Sequence, residues 1–407
     1  MEIKLIVTIS MLSVCLLGGS CTPARDFDSR LSSIVKPYRF SVAEWEFRAI
    51  PREATQWIFG KHEKTDDQVQ VVTQYFSFVE RVKTLKSEIK AINAGTKQGD
   101  SAPLEAELNE LEGQKAALED VVARIIRKQI KETLAEQGIF NPIEKYIRLK
   151  VSFPPLNFKL EKLPYLLVIS PRDRIESMRE VTLQRSISLK EMEEIEAKVD
   201  KLGVSSLVVE LGGLSATYPT LVTNEAGLRF TVDTVTEEWL HHYLVFQPLG
   251  FLYLLDVTGV SRNYEIATMN ETLASMGSKE IGSIVCQRYY SQYENGAQQA
   301  VKSEFDFNRE MREIRRAVDT YLARGEIEQA EQFMEQKRQY LASKGYYIRK
   351  LNQAYFAFHG TYADRPTSIS PIGVELKKLR SQSASLKDFL DTVAVMTSRQ
   401  DLIGSVK

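Results

Sequence analysis

The sequence predicts an α+β fold that is predominantly helical. A small sheet packs on a pair of site helices, preceded by an antiparallel coiled-coil hairpin and followed by a helical C-terminal region. Three observations predict this. Apolar residues recur at helical spacing on both sides of a polar loop at Asn93–Pro103. Between Asn141 and Leu211 they sit instead in short runs, alternating or bounded by prolines. From Thr236 onward helical spacing returns, broken by Gly325 and Gly345.

The 407 residues leave room for two or three domains. A net charge of −1 provides no field to attract nucleic acid or an anionic surface, which argues against both. Lys4 precedes an apolar run from Leu5 to Leu17, followed by Gly18-Gly19-Ser20-Cys21. The run is too short to span a bilayer, and its small-residue exit reads as a cleavage site. A small residue directly before Cys21 resembles the bacterial lipoprotein box, which would make Cys21 the lipidated first residue. An ordinary secretory signal or an uncleaved anchor are the alternatives. The expected location is therefore outside the cytoplasm, anchored to the membrane. With Cys15 and Cys21 committed to that segment, Cys286 is left alone. No intramolecular disulfide can then form, and Cys286 reads as a buried small residue on an apolar helix face.

Residues 22–65 read as a leader with short helices, including the aromatic stretch Val42–Phe47 and Trp57–Phe59. The hairpin occupies 66–138. Val69, Val72, Phe76, Val79 and Leu85 follow helical spacing in its first arm, and Leu104, Leu108, Leu111, Leu118, Val122 and Leu134 largely follow heptad spacing in its second. Pro103 is placed to open the second helix and Gly138 to stop it. The hairpin reads as a scaffold arm, or as a coiled-coil surface for a partner the sequence does not name. Residues 139–300 carry the sheet and site helices. Tyr146–Phe153 alternates, Phe158–Leu160 resumes after Pro154-Pro155, and Leu166–Ile169 is a strand bounded by Pro164 and Pro171. Ser188-Leu-Lys-Glu191 is a capping box opening a helix that Gly203 ends, and the next strand runs Ser205–Leu211 into Gly212-Gly213. Residues 301–365 read as helices Arg309–Leu322, Ile327–Leu341 and Tyr346–Phe358, and 366–407 as a linker and a final helix pair ending near Met396.

The chemistry-bearing stretch is Thr236-Glu237-Glu238-Trp239-Leu240-His241-His242. Glu237 and His241 are four apart, so a helix projects them from one face, with Glu238 one step round. About thirty residues after His241 comes Asn270-Glu271-Thr272-Leu273-Ala274. Glu238 and His242 form a second i, i+4 pair and an alternative register. A plain polar helix face is the bland alternative to both.

Together these segments resemble the gluzincin zinc metallopeptidases. There a His-Glu-x-x-His helix supplies two ligands and the base, a following Asn-Glu-x-x-Ala helix supplies the third ligand, and an upstream edge strand holds an extended peptide. Here Glu237 stands where that family has its first His. The resemblance covers roughly residues 204–290. It implies zincin-like site helices with Glu237, His241 and Glu271 as ligands of Zn²⁺ and Glu238 as general base. It also implies that Gly212, Gly213 and Leu214, at the end of the strand Ser206–Leu214, lie along a peptide or protein substrate. Gln247–Gly250 and the segment near Gly259 are expected to form a loop between the helices. Zn²⁺ accepts oxygen ligands, but a second carboxylate makes it a poorer Lewis acid, which implies weaker zinc, slower hydrolysis, or tolerance of a harder metal such as Mn²⁺. The family places a Tyr or His after the third ligand to stabilise the oxyanion. Tyr355, His359 and Tyr362 are the candidates, with simple aromatic packing as the alternative for each. Asn270-Glu-Thr272 also matches a glycosylation sequon, which a buried ligand helix could not use. Three classes remain at this point: an exported metallopeptidase, an inactive relative kept for binding or envelope structure, and a coiled-coil envelope protein with a coincidental site helix.

Overall fold

A computed structural model describes residues 23–40, 65–93, 97–143, 150–293, 305–365 and 368–406. The signal and lipidation reading of residues 1–21 and the aromatic stretch at 42–59 lie outside them. The described residues are predominantly helical α+β, with two small sheets rather than the one expected. Among the described residues no helix is long and apolar enough to cross a membrane.

Helix α1 (Pro23–Val35) precedes the hairpin of α2 (Thr65–Asn93) and α3 (Ala102–Glu136). The connection between α2 and α3 is too short to run back along α2, so the two helices are antiparallel. Val72, Phe76 and Val79 of α2 and Val122, Ile126, Ile130 and Leu134 of α3 are buried. They join the same apolar cluster as the site helices, so the base of the hairpin is part of the main core. Leu104, Leu108, Leu111 and Leu118, toward the tip, are only half-buried.

Next come β1 (Phe158–Glu161), β2 (Tyr165–Pro171), β3 (Arg179–Leu183), α4 (Leu189–Asp200), β4 (Val204–Glu210), β5 (Gly213–Leu214) and β6 (Thr220–Thr223). The first sheet is β3-β2-β4, antiparallel throughout. The second is β1-β6-β5, with β1 parallel and β5 antiparallel to β6. The single strand expected over Ser206–Leu214 is therefore two strands in two sheets, broken at Leu211-Gly212. The described part of the alternating run, residues 150–153, is not a strand. β3 and β6 are strands that spacing alone did not reveal. The capping box forms as read: Ser188 and Glu191 exchange side-chain and backbone hydrogen bonds.

Helices α5 (Leu228–Leu244), α6 (Pro248–Val257) and α7 (Tyr264–Tyr289) build the centre of the molecule. α6 replaces the expected loop, with Pro248 in its first turn, where a missing N–H costs nothing. α5 and α7 approach closely because glycines on α7 face α5. A Cβ at Gly282 would fall on the Asp233 carboxylate, and one at Gly277 would meet Leu240 Cδ1 at 2.9 Å. Cys286 of α7 is buried, as expected, and is not in a disulfide.

α8 (Phe307–Ala323) and α9 (Ile327–Ser343) pack as a pair around Met311, Ile314, Val318, Ala330 and Met334. Gly325 between them takes φ +76°, which favours glycine. The helix expected over Tyr346–Phe358 is shorter and starts later, as α10 (Gln353–Gly360). Asn352 decides that start: its side chain caps the Tyr355 N–H. Three terminal helices rather than two, α11 (Pro371–Gln382), α12 (Leu386–Ala394) and α13 (Arg399–Ser405), complete the core beside α7.

Candidate metal centre

Glu237, His241 and Glu271 converge. One ligand atom from each lies within 4.8 Å of the other two. The helical i, i+4 relation stacks Glu237 under His241 on α5, and the close packing of α7 brings Glu271 across to them. His241 is buried at 9% exposure and Glu237, Glu238 and Glu271 are half-buried, so the cluster is largely withdrawn from solvent.

The residue before the third ligand sets the state of His241. Asn270, fully buried, places its Oδ1 3.0 Å from His241 Nδ1. A side-chain carbonyl only accepts, so Nδ1 carries the proton and Nε2 is left facing Glu271. His241 Nε2 lies 3.6 Å from Glu271 Oε2. That carboxylate oxygen is buried and has no hydrogen-bond partner among the described residues. A tetrahedral ion with bonds of about 2.0–2.2 Å separates its ligands by about 3.3–3.6 Å. The orphaned oxygen and its spacing to Nε2 thus fit a metal.

The other oxygen of Glu271 is occupied. Tyr253, on α6, donates its hydroxyl to Oε1, and its ring stacks on His241 at 5.6 Å between centroids and 22° between planes. One side chain therefore steadies two of the candidate ligands. Sequence reasoning missed it because Tyr253 lies in the segment read as a loop. The Pro248 start and apolar spacing of that stretch are the signals that could have exposed it.

Tyr362 also reaches the cluster. Thr272 donates to Thr361 O and accepts from Ala363 N at 2.9 Å, and Ser275 and Lys279 hold Asp364. These bonds pin the loop after α10 onto α7 and place the Tyr362 hydroxyl beside Glu271. Arg365 lies over the Tyr362 ring, 4.0 Å from its centroid, and its Nη1 is 3.3 Å from His359 Nδ1. His359 and Tyr355 stand behind Arg365, with their rings 4.4 Å apart. Of the three oxyanion candidates, Tyr362 alone faces the ligands, while Tyr355 and His359 form a layer behind it. Burial, then the Arg365 charge, lowers His359 to about 4, so its ring is neutral.

Charge in the cluster is self-compensating. Burial pushes Glu237 up to about 8, with the carboxylates of Glu271 and Glu238 adding to the rise against His241. Burial would lower His241, but Glu271, Glu238 and Glu237 around it win and push it up to about 10. Glu271 stays below the usual carboxylate range: burial would raise it, but His241, Tyr253 and Tyr362 outweigh that. Near neutral pH the metal-free site holds one carboxylate, one imidazolium and one neutral carboxyl. A cation would displace the last two protons.

Glu238 projects toward the second sheet. Burial raises it, while the Ser215 hydroxyl and backbone N–H oppose the rise. A Cβ at Gly213 would fall on its carboxylate, so only glycine lets β5 pass this close. β5 is an edge of its sheet, so Gly213 and Leu214 lie on an outer strand against the candidate base. Gly212 lies just outside that strand, against Phe230. His242 instead approaches Ser215 O at 2.7 Å through Nε2, where it acts as a donor. Among the described residues neither Glu238 nor His242 joins a convergent group of three ligand atoms, which disfavours the Glu238/His242 register. Asn270, at 0% exposure, is closed to glycosylation in the folded chain.

Compared with protein-family models, curated proteins and solved structures, the chain matches none, and the reading of this centre stands on its geometry.

Proposed function

We propose that the chain is a metal-dependent peptidase of gluzincin type. Glu237, His241 and Glu271 would hold Zn²⁺, and Glu238 would act as general base. The observation that carries this reading is the convergence of the three candidate ligand atoms, with Asn270 holding His241 Nδ1 and Glu271 Oε2 making no hydrogen bond 3.6 Å from Nε2. When bound, the ion supplies an acidified water and a Lewis acid for the carbonyl. Glu238, whose hold on a proton burial strengthens, takes a proton from the attacking water and returns it to the leaving amine, so water adds across the C–N bond. Tyr362, beside Glu271, and Arg365, over its ring, supply the donor and the positive charge for the oxyanion. β5 offers its free edge to an extended peptide. Residues 1–21 support export and anchoring through Cys21 as part of the same proposal.

One feature favours a second reading, a catalytically inactive peptidase-like binding protein. The first ligand is a carboxyl pushed up to about 8, which a cation must deprotonate before it can bind. Metal analysis of protein beginning after Cys21, beside Glu271→Ala, tests the centre. About one equivalent in the first and none in the second is expected, and none in either refutes it. Peptide hydrolysis lost in Glu238→Gln with zinc retained selects the enzyme over the binding protein.

A further inference from the structure

We propose that the outer face of α6 is a membrane-docking surface, which lies against the bilayer when the chain is anchored at Cys21. The proposal rests on the export and anchoring part of the reading above, not on the peptidase chemistry.

Charge singles α6 out. Charged residues make up 26% of the chain, yet between Val245 and Ser261 the one charged side chain is Asp256. Asp256 is buried and accepts the Asn263 N–H at 2.6 Å, so no charged group of this stretch is exposed. Phe246, Phe251, Val257 and Val260 stand 44–59% exposed, with Pro248 exposed between the first two. Phe153 packs on Phe246 at 5.0 Å between ring centroids, and the exposed Val151 extends the apolar surface on that side. Leaving such a face in water is unfavourable, and a contiguous exposed apolar surface marks an interaction site. The face is a convex helix surface rather than a groove, which suits a fluid bilayer. Lys150 beside Val151 and Arg262 beyond Val260 are exposed and suit anionic headgroups, with Arg262 partly compensated by Asp256 at 3.8 Å.

β3 ties this face to the anchor. Arg179, at the start of β3, pairs with Asp28 of α1 at 3.4 Å. Glu180 follows on the opposite face of the sheet, where the charges of Arg262 and Asp256 act on its carboxyl. α1 leads from that end of β3 to the other, where Tyr38 O accepts from Gln184 N–H and Phe40 N–H donates to Thr182 O. Pro23 therefore lies toward the end of β3 that also meets the end of α6, and Cys21 is two residues earlier in the chain. A lipid at Cys21 tethers the chain without orienting it. The apolar face, held at high local concentration by the tether, sets the orientation. Successive helical residues turn by about 100°, so Phe251 and Tyr253 lie on nearly opposite sides of α6. Tyr253 donates to Glu271, so the docked centre sits about one helix diameter, about 10 Å, above the lipid. Its substrates are then chains presented at the membrane surface.

The test uses the chain beginning at Thr22, which contains every described residue, and vesicles of phosphatidylcholine with phosphatidylglycerol. The protein should float with the vesicles, and Phe251→Ser combined with Val260→Ser should lower the partition coefficient about tenfold or more. Both residues are exposed, so an unchanged urea midpoint shows that lost binding is not lost folding. A second chain, beginning at Cys21, is coupled through that thiol to a maleimide lipid, and the buried Cys286 does not compete. Tryptophan fluorescence is read against the unsubstituted protein. The signal added by Phe251→Trp should be quenched by brominated lipid, and that added by Gln98→Trp, at the exposed hairpin tip, should not. Partitioning that the two serines leave unchanged, or quenching of both added signals or of neither, overturns the docking surface. Oligomers that dissociate on Phe251→Ser, without vesicle binding, assign the face to a second copy and overturn it too. Mass analysis of the exported protein tests the anchor separately. An unmodified Cys21 removes the anchor, while Phe251-dependent flotation keeps the surface. A lipid on Cys21 without quenching does the reverse.

Discussion

Tyr253→Phe isolates the contribution of one hydroxyl to the candidate metal centre. The phenyl ring that remains keeps its place in the apolar run of α6 and its stack on His241. What is lost is the donor to Glu271 Oε1. A hydrogen bond to a charged group contributes about 1.5–3 kcal/mol. Removal of a group that orients a metal ligand typically lowers affinity about 10–100-fold, which at about 1.4 kcal/mol per decade is the same range. The two estimates agree because they describe one event: Glu271, released at Oε1, no longer presents Oε2 to His241 in a fixed geometry. Zinc affinity measured by competition with a chromogenic chelator near pH 7.5 should therefore fall by about one to two decades. Far-UV circular dichroism and urea midpoints in chelator identify any loss that is merely structural. Affinity within about twofold of the unsubstituted protein would show that the hydroxyl does not orient Glu271.

Zinc binding at pH 7 should release about two protons, one each from Glu237, pushed up to about 8, and His241, pushed up to about 10. Calorimetry in buffers of different ionisation enthalpy reads this number, and zero release would refute the protonation assignment. Both groups hold their protons more tightly folded than unfolded, so stability they contribute at low pH is lost as pH rises. In chelator His359, lowered to about 4, offsets Glu237 up to about pH 6.5. The urea midpoint should therefore fall from about pH 6.5 to pH 10, most steeply between about 6.5 and 8 where Glu237 and His241 both act, at up to about 1.4 kcal/mol per pH unit for each. Glu271, held low, acts only in acid and does not reverse this. A midpoint that is flat from pH 6 to 9 would contradict it. Gly213→Ala should displace Glu238 while leaving the ligands in place. Hydrolysis should fall about a hundredfold with zinc retained, as expected when a general base is misplaced. Loss of zinc in that variant would mean that β5 supports the ligands instead.

Local rules settle local features. The i, i+4 relation of Glu237 and His241 puts both on one helix face wherever α5 lies, and Asn270-Glu271 marks the partner helix by its residue types. The Ser188 capping box and the breaks at Gly325 and Gly345 are likewise written in a few adjacent residues, and each appears where it was read. The predominantly helical class follows from periodicity alone. Tertiary structure decided what depends on residues far apart in the chain. Which hydroxyl faces Glu271 is set by Thr272 and Ser275 pinning the Thr361–Asp364 loop, and no spacing rule carries that bond. The same docking separates Tyr362 from Tyr355 and His359, which look equivalent in sequence. Tyr253 matters only because α6 folds back beside α5 and α7, and an apolar run does not announce which of its residues will meet a carboxylate. β5 is two residues long, too short for periodicity to register, and becomes a strand only through β6. Helices are specified by contacts within a few residues. A site is specified by contacts between segments that the chain brings together only when its core closes.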